Sequence, residues 1–294
     1  GKIFLMKKKS LLSVHAKSFN WAGFFLPKET YKKCSILYDF CRTLDDIADS
    51  NLELVEKKKI FLTFKKNFEY KNFSNLIIKN FCELVEIKKI PLKVIYDLFD
   101  GVESDIRSKV YIKSEKDLLV YSYRVAGTVG LMMSKLFDIK DKDALRGAID
   151  LGIAMQLTNI ARDVIEDKGK NRFYISHDFE KIRETLKTAE TFYSNSFLAI
   201  KHIPIRFRFS ILVARRVYRE IGKNIIKKKN LSNYDKAGKI YVSLFGKITQ
   251  TMFSVFDLIK LQFLSNNDHV KKEEKHLIID KEINLNERFW LYNF

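Results

Sequence analysis

The chain has 294 residues, 46% of them hydrophobic, and a formal net charge of +18 from 54 Lys/Arg against 36 Asp/Glu. That apolar content excludes a disordered chain, and 11 Gly with 3 Pro supply too few turn formers for a hairpin-rich sheet protein, so the expected class is all-α. The basic residues are interspersed, with short runs only at 7–9, 57–59 and 227–229; no recognition motif accompanies them, so nucleic acid is not expected as a partner, and most read as a solvated, lysine-rich surface, compatible with attraction to diphosphates or an anionic membrane surface.

In chain order, residues 1–12 form a basic lead-in without the continuous apolar core of a signal peptide. Helical periodicity then predicts helices over 28–49, 53–69, 74–88, 92–108, 115–137, 141–168, 178–200, 205–229 and 237–263. Pro27, Pro91 and Pro204 each precede one of them, where a first-turn proline loses no hydrogen bond. Short connections suit one helical domain over 13–263, followed by a polar tail, 264–294, that closes on an aromatic cluster. No stretch reaches the roughly 18 uncharged apolar residues of a membrane span. Cys34, Cys41 and Cys82 lack disulfide or zinc spacing, which fits a reducing cytoplasm, with peripheral attachment to the inner membrane face.

Two helix ends carry the functional argument. In RTLDDIADS (42–50), Asp45 and Asp49 stand four apart and share a face, continuing the stripe Tyr31, Cys34, Tyr38, Cys41/Arg42. In QLTNIARDVIEDKGKNRFYI (156–175), the stripe Leu145, Ile149, Gly152, Gln156, Asn159 ends on Asp163 and Asp167. Acids at the negative pole of a helix are disfavoured by roughly 0.3–1 kcal/mol each. Two such clusters call for something positive, and a hard divalent cation with oxygen ligands and bound phosphate meets that need. One DxxxD alone reads better as a solvated helix end; two, each ending an apolar stripe, do not.

LDDIAD and QLTNIARDVIED–NRFYI resemble the two aspartate-rich signatures of the squalene and phytoene synthase family. YSYRVAGTVGLMM (121–133) is similar to the helix between them in its phytoene synthase form, and HAKSF (15–19) resembles the N-terminal HxKSF element. The likeness covers roughly 13–260 in the expected order. It implies a single-domain isoprenoid-synthase helical bundle with a central cavity. By this resemblance Asp45, Asp49, Asn159, Asp163 and Asp167 would hold Mg²⁺ or Mn²⁺. His15, Lys17, Ser18, Arg42, Arg162, Arg172, Gln156, Tyr121 and Tyr174 would lie near the substrate diphosphates. Phe19, Tyr38, Ala126, Gly127 and Gly130 would contact substrate, with Phe24, Val129, Met133, Ile153 and Leu157 as further wall candidates.

The implied activity is that of a prenyltransferase condensing two geranylgeranyl diphosphates through a cyclopropyl diphosphate to phytoene, a carotenoid precursor. Squalene formation from farnesyl diphosphate would need NADPH; none is expected, and no GxGxxG occurs. A non-catalytic assembly relative would be expected to lack some of the four carboxylates. Gly127 and Gly130 interrupt a helical pattern at roughly 1 kcal/mol each relative to Ala, read here as room for substrate beside Tyr121 and Tyr123. The acids Asp97, Asp100, Glu103 and Asp105 are read as packing and surface ion pairs. His177, His202 and His269 receive no role. Only about thirty residues separate NRFYIS from RFRFSILVARRVYREIG, shorter than the family pattern, which bears on substrate chain length. Oligomeric state is not legible.

Overall fold

Pro27 caps the first long helix, α2 (Lys28–Asp49), which buries Cys34, Leu37, Phe40, Leu44 and Ala48 along one stripe. Before it comes α1 (His15–Gly23), a short helix that the periodicity did not announce. A computed structural model describes residues 15–264 and 274–294; the lead-in 1–12, residues 13–14 and 265–273, and the side chains of His15 and Ala16 lie outside it. The helices α3 (Leu54–Glu69), α4 (Leu76–Lys88) and α5 (Leu92–Glu103) pack beside α2. A phenylalanine cluster holds that layer: Phe40 stacks on Phe81 with centroids 3.8 Å apart, and Phe61, Phe64, Phe68 and Phe99 surround them. Asn75 starts α4 by accepting from the Ile77 and Ile78 amides at 2.9 and 3.3 Å.

Beyond α5 the backbone leaves the helix earlier than expected and enters β1 (Val110–Tyr111). The predicted helix 115–137 is three pieces: α6 (Glu115–Ser122), a π-helical segment (Tyr123–Gly127) and α7 (Thr128–Leu136). The central element is α8 (Lys142–Arg162), buried on most of its circumference and in contact with α6, α7, the π segment, α10 (Phe179–Ala199) and α11 (Ile205–Ile226). Close approach explains two glycines: a Cβ on Gly130 would sit 2.3 Å from the Ala148 carbonyl oxygen, and one on Gly152 2.4 Å from that of Ala126. Gly130 therefore serves helix packing, the reading not favoured from sequence, as well as lining the cavity.

Asp163 breaks the predicted 141–168 helix at φ −105°, ψ 20°, between α8 and α9 (Val164–Gly169). β2 (Arg172–Phe173) then pairs in parallel with β1, Val110 opposite Arg172. The shortened stretch is one helix, α10 (Phe179–Ala199), with a 3₁₀ turn at Ile200–His202. α11 (Ile205–Ile226) follows Pro204. The last predicted helix starts late: α12 (Leu231–Ala237) ends at Gly238, whose φ of +64° suits glycine, and α13 (Leu244–Phe263) begins after the Ser243 cap.

The described part of the tail is folded onto the body as α14 (Glu274–Asp280) and α15 (Leu285–Trp290). Arg288 donates to both carboxylate oxygens of buried Asp97 at 2.8 and 3.0 Å, and the Tyr123 hydroxyl donates to Asp97 at 2.8 Å. The Tyr292 hydroxyl donates to the Leu131 carbonyl, and His276 bonds Asp150 at 2.5 Å in a buried pair. Burial works against protonation of His276, but the Asp150 charge and hydrogen bond outweigh it, so its pKa is raised. A raised histidine stabilises the fold fully below its ordinary value of about 6.5, and the contribution fades as pH climbs through the folded value. The melting-temperature gap between wild type and His276→Gln is expected to narrow from about pH 6 to about pH 9; a constant gap would mean that the pair does not titrate.

Candidate active site

The last turn of α2 ends on acids, with no basic residue of its own to answer the helix pole. Cations arrive from elsewhere. Arg172 donates to the Ala48 carbonyl at 2.8 Å and to Asp49 at 2.5 Å, and the Lys57 ammonium donates to the same carbonyl at 3.1 Å. Arg172 is placed by the two-residue bridge: the Val110 amide donates to the Asn171 carbonyl at 3.1 Å and the Ile112 amide to the Phe173 carbonyl at 3.0 Å. Lys170 stands 3.8 Å from Asp49 and 3.2 Å from Glu166, linking the α2 end to α9.

The second cluster lies on the α8–α9 junction. The break at Asp163 keeps the helical spacing, because the Asp167 amide still donates to the Asp163 carbonyl at 2.8 Å. The buried Arg162 guanidinium grips Asp163 through two hydrogen bonds of 2.7 and 2.8 Å, and Lys239 lies 3.9 Å from Asp163 and 3.0 Å from Glu166. Arg172 is the common neighbour, its charge acting on Asp45, Asp49, Asp105 and Asp167. The two aspartate pairs thus face one mouth.

The charges there do not balance. Asp45 still reaches solvent but is ringed by protein; loss of water, and then the charges of Asp49, Asp105 and Asp46, push its carboxyl up to about 8. Desolvation, then Asp163, pushes Asp167 up to about 8 as well. Asp105 is also raised, chiefly by burial. The Asn159 side-chain oxygen, one turn before Asp163, is buried with no hydrogen-bond donor. Unbalanced carboxylates and an unanswered neutral oxygen are the donor types of a hard divalent cation, so by chemistry Asp45, Asp49, Asn159, Asp163 and Asp167 fit the implied Mg²⁺ or Mn²⁺, although among the described residues their ligand atoms do not converge on one point. A cation held by these residues would have to displace protons from Asp45 and Asp167. Affinity is therefore expected to rise with pH up to about 8, with proton release seen by calorimetry in buffers of different ionisation enthalpy. Binding without proton release would contradict these shifts. A separate group, Asp141, Asp143 and His202, gathers at the far end of α8, where Asp141 already caps the Ala144 amide at 2.9 Å.

Beside the acids, Tyr121 and Tyr174 stack at 4.8 Å between centroids. Tyr121 donates to Asp105 at 2.6 Å and Tyr174 donates to the other Asp105 oxygen, which leaves the two hydroxyl oxygens 3.2 Å apart. Asp105 belongs to this site and is not the surface ion pair expected for it. Tyr123 is also corrected: it points to Asp97, away from the acids.

Behind the mouth runs an apolar cavity of about 300 Å³. Its lining passes along α8 from Asn159 and Gln156 to Ala144, about 22 Å at 1.5 Å per residue. Ser18, Phe19, Tyr38, Ala126, Val129, Gly130 and Met133 line it. Gly127, Ile153 and Leu157 are instead buried in the packing behind the wall, and Phe24 is on the outer surface. Phe19 stacks on Tyr38 at 4.8 Å. Arg42 stands 3.7 Å from Asp46, one turn along α2. Lys17 is exposed on α1 near Lys247, whose pKa is lowered by burial and then by the Lys17 charge. The His15 side chain is outside the described residues. Sequence reasoning missed Asp105, Lys170, Lys239 and the wall residue Tyr218. Lys170, beside Asp167 in KGKNR, was the one within reach of the motif.

The squalene/phytoene synthase family profile matches residues 12–181. A phytoene synthase of Pseudescherichia vulneris is 30% identical over 240 residues, 70% of this chain and 77% of the relative. A 4,4'-diapophytoene synthase of Staphylococcus haemolyticus is 27% identical over 81% of this chain and 91% of its own length. The crystal structure of a dehydrosqualene synthase superposes with a TM-score of 0.69 at 27% identity, covering 84% of this chain and 93% of that one. The chain belongs to the squalene/phytoene synthase family: it has the helical isoprenoid-synthase fold and the features of a head-to-head synthase acting on isoprenyl diphosphates.

Proposed function

We propose that this chain condenses two geranylgeranyl diphosphates head to head to phytoene. The observation that carries the reading is an apolar cavity whose lining follows about 22 Å of α8 and ends at Gln156 and Asn159, one turn before the acidic mouth. Divalent metal, when bound, would neutralise the diphosphates and ease their departure. Arg172, Lys170 and Lys239 hold the mouth's carboxylates and present positive charge where diphosphate charge develops. Asp105 fixes the hydroxyls of Tyr121 and Tyr174, and with them the two stacked rings. The cavity wall carries no carboxylate, amine or imidazole among its lining residues. A carbocation in the slot therefore meets only hydroxyls, side-chain amides and the Met133 and Met155 thioethers, none of them a base, and its proton leaves toward the mouth.

A second reading, the same condensation of farnesyl diphosphate, is favoured by the likeness to the dehydrosqualene synthase structure and the 4,4'-diapophytoene synthase. The test is a product assay with purified protein, Mg²⁺ and labelled geranylgeranyl or farnesyl diphosphate, each with and without NADPH. Phytoene from the longer substrate without NADPH is the expected result. A dehydrosqualene-type product from the shorter one alone would transfer the chain to the second reading. Squalene appearing only with NADPH would overturn both.

A further inference from the structure

α13 is built inside out. The residues it turns to the protein are mainly polar: Gln250, Ser254 and Asp257 are buried with Leu261. Asp257 accepts from both Nε and Nη2 of Arg216 on α11, and the Gln250 side chain donates to Glu220 at 3.1 Å. The opposite face carries Phe245, Ile248, Met252, Phe256, Ile259 and Phe263 at helical spacing, with Phe245 79% and Phe263 83% exposed. Single exposed apolar side chains need no explanation, but a contiguous stripe over five turns does.

The surroundings say what covers it. The apolar stripe itself carries no charge, and α13 has no exposed acid: besides the paired Asp257 its charged residues are half-buried Lys247, toward α1, and exposed Lys260, at the edge of the stripe. Trp21 of α1 donates to Thr251 at 2.9 Å, and one turn further on Phe24 projects outward, 81% exposed. Its neighbour Gly23 lines the cavity, as does Ile211 of α11, on which α13 packs. Phe24 is thus one residue from the wall of the slot, although α13 itself contributes no lining residue. No described helix is long and apolar enough to cross a membrane. Symmetric pairing of two copies would set equal positive charges, +18 on each chain, against one another.

We propose that the outer face of α13, with Phe24, docks flat on an anionic bilayer, its phenylalanines in the acyl boundary and Lys260, with other exposed lysines of this basic chain, at the headgroups. The surface stands on its own observations; that it lets apolar product pass from slot to lipid rests on the function proposed above. The test is co-sedimentation of the full chain with phosphatidylcholine vesicles and with vesicles containing phosphatidylglycerol. Wild type is expected to bind the anionic vesicles more strongly. Phe245→Ser/Phe256→Ser/Phe263→Ser is expected to lose at least tenfold in partitioning while keeping its circular dichroism and its turnover of detergent-dispersed substrate. Because the readout is vesicle binding, it stands or falls apart from product identity. Undiminished binding by the triple variant would overturn the proposal, leaving lysines alone as the attraction. Absence of wild-type binding would also overturn it. In that case a dimer in light scattering that the triple variant abolishes would assign the face to a second copy. Binding gained on removal of residues 1–12 would assign it to the chain's own N-terminal segment.

Discussion

Asp45→Asn and Asp167→Asn are each expected to cut turnover by roughly 10²–10³-fold or more and, in the same protein, to raise the melting temperature of the cation-free form. Both carboxyls are pushed up to about 8, so the folded state holds their protons more tightly than the unfolded chain does. Between the ordinary carboxyl range and about 8, each side chain therefore removes stability as pH rises. Asparagine keeps the shape and abolishes that penalty. Asp163→Asn should behave differently. It removes the same kind of ligand, but leaves the buried Arg162 guanidinium without the carboxylate that it grips at 2.7 Å, so activity and stability are expected to fall together. Circular dichroism melts with added chelator, beside initial rates with Mg²⁺, separate the two patterns. Turnover within roughly tenfold of wild type in Asp45→Asn would remove that residue from the cation site; a lowered melting temperature would contradict the electrostatic account.

Arg288→Ala is the largest stability change expected outside the site. It strands Asp97, which is buried and also holds the Tyr123 hydroxyl at 2.8 Å. Breaking a buried pair by removing one partner costs about 3–5 kcal/mol, which for a chain of this size lowers the melting temperature by roughly 10 °C. The double variant Arg288→Leu/Asp97→Leu is expected to recover a large part of the loss, since no charge is then left buried. Melting curves of the four proteins in the cycle decide it. A melting temperature unchanged in Arg288→Ala would mean that the tail helices do not support the body.

The acidic mouth was legible because helical spacing carried its information: four carboxylates and Asn159 ended two apolar stripes, and the break at Asp163 did not disturb their alignment. Asp105 was not legible in that way. It follows the end of α5, and only the reversal through β1 and β2 brings Tyr174, 69 positions away, onto it. The tail helices have seven and six residues, too few for a periodic signal, and they hold by tertiary contacts. For α13 the stripe itself was visible within 237–263, but periodicity names a face without saying whether it turns inward. That choice was made by Arg216 and Glu220 on α11, which gave the polar side its partners. Gly127 failed as a wall residue for a related reason: the π segment turned it toward the Tyr123 ring and the side chain of Ile149.

The slot along α8 also governs how the protein's thermal stability should be interpreted. An apolar cavity of about 300 Å³ would hold an apolar chain by shape and burial, with little in its wall to demand one headgroup. Any cellular lipid or prenyl alcohol that enters adds RT ln(1 + [L]/Kd) to the folded state, about 2.7 kcal/mol at a hundredfold excess over Kd. Protein purified from different hosts, or before and after delipidation, should then melt at different temperatures with an unchanged sequence. The melting point becomes a record of cargo, and the spread among preparations ranks which chains the slot prefers.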